Sequence, residues 1–166
     1  MTKKISLLAL LLCIAVCAEA QIYIGGNIGL STSSRSDSQI GIVIAPEIGY
    51  RVNPRLTVGG ALSYRSLQNS FGITPYVRGY LFNFQNLVSI FLSAQAPVRF
   101  STNYQSYGAY IRPGLSLRIA PGAWMTVHIG AFGYAYTRSG GVGSGSWDAR
   151  VNSDTINIGF GFNIGS

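Results

Sequence analysis

The chain has 166 residues, enough for one domain, and only 10% of them are charged, against roughly 25% in soluble domains. Twelve Lys and Arg against five Asp and Glu give a net charge of +7. The arginines are scattered one or two per segment and form no run, which argues against a nucleic-acid partner.

The first segment reads as a cleavable signal peptide over residues 1–20. Lys3 and Lys4 supply a basic start, residues 5–16 an apolar run, and Ala18-Glu19-Ala20 a small-x-small cleavage site. The mature domain is expected to span residues 21–166. Both cysteines, Cys13 and Cys17, fall in the leader, and neither follows the small residue that a lipoprotein site wants. After cleavage no cysteine remains for a disulfide or a thiolate. Ten basic residues, all arginine, and four acidic ones stay with the mature domain.

From residue 21 onward the chain alternates. Successive strand side chains point to opposite faces, so each alternating segment has two distinct walls. Strands are expected over 21–31, 40–51, 56–64, 71–82, 87–98, 108–119, 124–136 and 155–164. In the first, Ile22, Ile24, Ile28 and Leu30 oppose Tyr23, Gly25, Asn27 and Gly29. In the seventh, Met125, Val127, Ile129, Ala131, Gly133 and Ala135 oppose His128, Phe132, Tyr134 and Tyr136. In the last, Ile156, Ile158, Phe160, Phe162 and Ile164 oppose Thr155, Asn157, Gly159, Gly161 and Asn163. That second wall carries no charge at all. A bulky apolar face opposite a small polar one fits a strand between lipid and a closed lumen.

Eight strands of about 9–11 residues match the length of tilted membrane-spanning strands. Their connections alternate. Loops over 32–39, 65–70, 99–107 and 137–154 are longer than the turns at 53–55, 83–86 and 120–123. Short turns on one rim and long loops on the other predict an all-β, eight-stranded, antiparallel up-and-down transmembrane β-barrel with periplasmic termini. Pro46, Pro75 and Pro113 lie inside strands and lack the N–H of a ladder, so each marks a bulge or a local break.

Strand charges share one parity: Glu47, Arg51, Arg78, Arg112 and Arg118 all fall on the small, polar face. Arginine on a lipid face at mid-depth would cost about 2–4 kcal/mol, so this face is the lumen. Glu47, Tyr76, Arg78, Tyr110, Arg112, Arg118 and His128 are the candidate lumen-lining residues. In an eight-stranded barrel such side chains fill the interior. Glu47 is the only acid in a strand, and it is expected to pair with Arg78, or failing that with Arg112 or Arg118. Adjacent strands lie about 4.8 Å apart, which puts Arg78 about 10 Å away across one intervening strand.

No catalytic, metal or cofactor set emerges. His128 and Ser116 could be neighbours, but the sole inward acid lies several strands off, so a nucleophile–base–acid triad is not expected. One His and scattered carboxylates make no zinc site. The Gly-rich run 140–145 lacks the Lys and the helix of a phosphate loop. It reads as a flexible extracellular loop, on which Arg138, Trp147, Asp148 and Arg150 are candidates for contact with a surface ligand.

The leader, the strand Thr74-Pro75-Tyr76-Val77-Arg78-Gly79-Tyr80-Leu81 and the terminal strand carry a family resemblance. The chain resembles the outer-membrane β-barrel ("porin family") proteins of Bacteroidota type, architecturally similar to OmpA, OmpX and OmpW barrels. Asn157, Gly159, Phe162 and Ile164 match the order of the terminal signal read by the barrel-assembly machinery, although Gly165 and Ser166 follow where many such proteins stop on an aromatic. The resemblance implies an outer-membrane location, lipid as surroundings and a monomer. It leaves function open, because the fold hosts several jobs. The expected function is a non-enzymatic barrel with a largely plugged, arginine-lined lumen, supporting envelope integrity or surface interaction. The alternative is a conduit for small apolar molecules, lined by Phe91, Phe132, Tyr134 and Tyr136.

Overall fold

The structure is a computed structural model that describes residues 21–32, 40–67, 69–102, 104–151 and 156–164. The leader expected at 1–20 lies outside the described residues. Eleven strands are present: β1 Gln21–Thr32, β2 Ile40–Asn53, β3 Leu56–Arg65, β4 Ser70–Phe84, β5 Val88–Gln95, β6 Val98–Phe100, β7 Tyr104–Ala120, β8 Ala123–His128, β9 Ala131–Ser139, β10 Val142–Arg150 and β11 Asn157–Ile164. They build eight staves, because β5 with β6, β8 with β9, and β10 with β11 each continue one another. Neighbouring staves are antiparallel. The barrel closes where β1 meets β11, from Ile22 opposite Ile164 to Gly29 opposite Asn157. Closure leaves no ladder edge for lipid to solvate over that height.

Alternation is obeyed around most of the wall. Ile28, Ile48, Leu62, Phe71 and Phe160 are exposed on the outside, while Tyr23, Glu47, Thr57, Tyr76, Arg78 and Phe91 are buried inside. The barrel is therefore inverted relative to a soluble protein, with its apolar side chains outward and its polar ones in the core.

The three strand prolines each interrupt one ladder. The β2–β3 pairing skips Ala45 and Pro46 between Ile44 and Glu47. Opposite Pro75, the next stave breaks at Ala96-Pro97. Pairing stops at Tyr76 with Gln95 and resumes at Ile73 with Val98. Opposite Pro113, the stave breaks at Ile129-Gly130, between Gly114 with His128 and Ile111 with Phe132. A proline offers no N–H, so the facing strand has nothing to accept there. The facing amide still donates, from Ala96 N to Pro75 O and from Ile129 N to Pro113 O, both at 3.0 Å.

The second break changes which side chains face in. Three residues, 129–131, stand against two, 112–113, so the stave carries a bulge, with Gly130 at φ +78. One inserted residue reverses every face beyond it. Phe132, Tyr134 and Tyr136 consequently point outward, Phe132 being 56% exposed, and Gly133 points inward. This corrects the expected inward placement of those three aromatics.

Two of the expected loops are strand instead. The 99–107 loop shrinks to 101–103, because β6 and β7 pair from Phe100 with Gln105 to Val98 with Tyr107. The 137–154 loop becomes a hairpin, with β9 pairing β10 from Ser139 opposite Val142 to Ala131 opposite Arg150. Its turn is Gly140-Gly141, at φ +57 and +86, the double positive φ that a two-residue type I′ turn requires. Arg138 accordingly lies on β9, and Trp147, Asp148 and Arg150 lie on β10, not on a loop.

At the opposite rim, which carries the described ends of β1 and β11, the connections are tight. Arg55 N donates to Asn53 Oδ1 at 2.8 Å. Gln85 and Asn86 hold positive φ, and Leu87 N donates to Phe84 O at 2.9 Å. Pro121-Gly122, with Gly122 at φ +75, fits a type II turn.

Candidate functional site

A cluster of large side chains is buried in the lumen at mid-height. Arg78 (1% exposed) projects from β4 and Glu47 from β2, with β3 between them. Arg78 Nη2 lies 3.3 Å from Glu47 Oε2 and 3.5 Å from Oε1. Along the ladders Arg78 stands opposite Thr57 and so level with Arg51, four residues nearer the terminal rim than Glu47. Barrel tilt skews the ladders against the cross-section, and two long side chains close the remaining gap. Tyr23 OH donates to Glu47 Oε1 at 2.8 Å, and Asn27 Nδ2 approaches Oε2 at 3.5 Å.

The cation has aromatic faces as well as an anion. The Arg78 guanidinium carbon sits 4.8 Å from the Phe91 ring centre, 5.0 Å from Tyr76 and 5.8 Å from Tyr23. Such contacts strengthen as water is removed. Phe91, with 0% exposure, meets the His128 ring edge-on at 5.1 Å and Tyr80 at 5.9 Å. A carboxylate shared by a tyrosine and an arginine, wrapped in rings, lies in the middle of the barrel.

Glycines make room for this cluster. A Cβ on Gly161 would overlap the Tyr23 ring, and one on Gly114 would overlap Phe91. Gly49 and Gly59 receive the Tyr76 hydroxyl, which would lie 2.8 and 2.7 Å from a Cβ placed there. The small residues of the inner face are thus niches for the large ones across from them. Tyr23 was not among the candidate lumen residues, although its parity on β1 placed it inside; its role depends on Gly161, more than a hundred residues away in sequence.

Space lies on each side of this cluster. Toward the hairpin rim a cavity of about 150 Å³ is lined by Arg65, Arg99, Tyr110, Arg112, His128 and Asp148 among others. Toward the terminal rim a vestibule of about 260 Å³ is lined by Arg51, Tyr80, Arg118 and Trp124 among others. Arg118 is exposed there, its guanidinium 5.7 Å from the Trp124 ring centre, while Arg51 lies 5.7 Å from both Tyr80 and Trp124. The candidate lumen residues therefore divide into three groups: Glu47, Tyr76, Arg78 and His128 in the mid-height cluster, Tyr110 and Arg112 above, and Arg118 below.

The surface candidates separate in the same way. Trp147, 73% exposed, is on the outer face, 5.7 Å from Tyr134 and 6.1 Å from Phe132 between ring centres. Asp148, its neighbour in β10, turns inward to the hairpin-rim cavity. Arg138 is exposed on β9. Asn157, Gly159, Phe162 and Ile164 lie on β11, the strand that closes the barrel. Glu47 is engaged by Tyr23 and Arg78, not by His128, whose ring packs on Phe91. Among the described residues, no three His, Cys, Asp or Glu side chains gather as a metal site would need.

No family model and no curated protein matches this chain. Solved structures do. Neisserial surface protein A is 16% identical and superposes with a TM-score of 0.57, over 86% of this chain and 97% of that one. The Yersinia pestis outer membrane protein Ail, solved in a phospholipid bilayer nanodisc, is 14% identical with a TM-score of 0.42, over 87% and 98%. At such identities only the fold carries across. The chain has the closed, eight-stranded antiparallel barrel fold that Neisserial surface protein A also has.

Proposed function

We propose that this chain is a small outer-membrane barrel that works through its wall and its hairpin rim, not as a channel and not as an enzyme. The observation that carries this reading is the plug: Glu47, Arg78, Tyr23, Tyr76 and Phe91 are all buried at mid-lumen. The apolar outer wall supports lipid as its surroundings, and the porin-family resemblance of the Thr74–Leu81 strand supports a Bacteroidota-type envelope. Termini on the periplasmic side put the β9–β10 hairpin outside the cell, where Trp147 and Arg138 are available to a surface partner or to neighbouring lipid. Asn157, Gly159, Phe162 and Ile164 on the closing strand serve as the insertion signal for the assembly machinery. The barrel acts as a monomer supporting envelope integrity or surface contact.

The conduit for apolar molecules loses support, because Phe132, Tyr134 and Tyr136 face outward and leave Phe91 alone inside. Reconstitution of the mature chain into planar bilayers tests the reading. Little or no steady conductance is expected, and large stable channels would overturn it.

A further inference from the structure

The outer face of the β7–β9–β10 wall changes character row by row. Nearest the bulge, Ile111, Phe132 and Ala149 stand side by side. The next row on this face is Ala109, Tyr134 and Trp147, and the one after it Tyr107, Tyr136 and Gly145. The row beyond, toward the hairpin turn, is Gln105, Arg138 and Gly143. Both tyrosines of β9 lean toward that turn. The Tyr134 hydroxyl occupies the place of a Cβ on Gly145, and the Tyr136 hydroxyl that of a Cβ on Gly143. The Tyr136 hydroxyl therefore ends in the row of Arg138, on its β10 flank. On the β7 flank, Tyr107 OH donates to Gln105 Oε1 at 3.3 Å, which engages the amide oxygen and leaves the NH2 group as a donor. An exposed guanidinium, an amide and a hydroxyl thus share one row, directly above an aromatic and aliphatic wall. Among the strand residues whose side chains are described, Arg138 is the one charged group on the outer face.

We propose that this row binds the phosphate of a lipid headgroup, with the acyl chains lying down the aromatic rows toward Phe132. The proposal rests on the outer-membrane reading above and adds a lipid site to it. An arginine on the lipid face is costly at mid-depth and close to neutral at the interface, so Arg138 marks the headgroup level. Tyrosine and tryptophan prefer the same boundary, with the ring in the apolar layer and the polar tip toward water. Tyr134 and Tyr136 hold their hydroxyls that way. Strand rise puts the Trp147 row roughly 13 Å from the Arg138 row along the strand, at the depth of the acyl chains of a lipid whose phosphate sits on Arg138. The planar guanidinium fork suits two phosphate oxygens, and the Gln105 amide and the Tyr136 hydroxyl are donors for others. The occupant is a lipid and not a free anion, because the wall beneath the row is apolar and gives a soluble anion nothing to hold.

Trp147 is the reporter for the test. Trp124→Phe leaves it as the single tryptophan, and every further change is made in that background. The folded mature chain is placed in phosphatidylcholine vesicles that contain a small fraction of lipid brominated on its acyl chains, either phosphatidic acid or phosphatidylcholine. Brominated phosphatidic acid should quench Trp147 at about fivefold lower fractions than brominated phosphatidylcholine, the preference that one interfacial arginine gives. Arg138→Gln should bring the two lipids to equal quenching. Tyr136→Phe, which keeps the ring, should reduce the preference. Arg55→Gln, in a turn of the opposite rim, should retain it. A heat-modifiable shift on gels verifies that each variant is folded, and where Arg138→Gln fails to fold, Tyr136→Phe decides by itself. Equal quenching by the two lipids before Arg138 is changed overturns the proposal and leaves the membrane reading standing. So does a preference that Arg138→Gln or Tyr136→Phe leaves intact, or one that Arg55→Gln abolishes equally. Quenching by neither lipid overturns the membrane reading and this proposal together.

Discussion

Arg78 and Glu47 face each other across β3, 3.3 Å apart, with almost no exposure of either side chain. Desolvating two charges is costly, and this pair is held by more than Coulomb attraction. Tyr23 donates a further hydrogen bond to the carboxylate, and three rings pack around the guanidinium. Removing one partner of a buried pair leaves the other uncompensated, which typically costs about 3–5 kcal/mol. Glu47→Ala should destabilise the barrel on that order in urea unfolding from lipid vesicles. Replacing Glu47 and Arg78 together by apolar residues of similar volume should cost less than either single change. A double-mutant cycle without coupling would show that the two charges are held independently.

The glycine niches predict an unusual sensitivity. Gly161→Ala drives a methyl group into the Tyr23 ring, and overpacking of this kind costs about 1–3 kcal/mol. Shortening the ring side, Tyr23→Leu, should relieve the clash while losing the Glu47 hydrogen bond. The Gly161→Ala, Tyr23→Leu double variant should therefore be more stable than the sum of the two singles predicts. Simple additivity would place Tyr23 away from Gly161.

If the plug is what closes the lumen, truncating it should open one. Arg78→Ala with Phe91→Ala removes the two largest of the fully buried side chains. The folded double variant should pass ions in planar bilayers where wild type does not. A folded but silent double variant would locate the barrier elsewhere, at Tyr23 or Tyr76.

The bulge at Gly130 can be read by fluorescence. The chain has two tryptophans, Trp124 beside the terminal-rim vestibule and Trp147 on the outer face. In vesicles of brominated lipid, a Trp124→Phe variant, which keeps Trp147, should be quenched strongly. A Trp147→Phe variant, which keeps Trp124, should be quenched weakly. The reverse order would mean that Phe132, Tyr134 and Trp147 face the lumen.

Much of this architecture was legible in the chain because strand alternation is local. Ile22, Ile24 and Ile28 declare their wall within a few residues, and so do Glu47 and Arg78. An apolar wall, a polar wall and eight segments of spanning length imply closure, since no other arrangement hides every ladder edge from lipid. Parity and strand spacing made Arg78 the first choice of partner for Glu47, ahead of Arg112 and Arg118, and the structure pairs the two. Three features needed the folded barrel. Pro113 lies on one stave and breaks the next, so its consequence at Gly130 cannot be read around Gly130 itself. That one-residue slip reversed the faces of Phe132, Tyr134 and Tyr136. The Gly-rich run at 140–145 looked like a loop because glycine has little strand preference; it became a hairpin because Gly140-Gly141 turns tightly and Tyr134 and Tyr136 lie across Gly145 and Gly143. The niches for Tyr23 and Phe91 depend on Gly161 and Gly114, which come from the neighbouring staves that pair with theirs. Parity tells a residue which side it faces, and only closure of the barrel decides what it meets there.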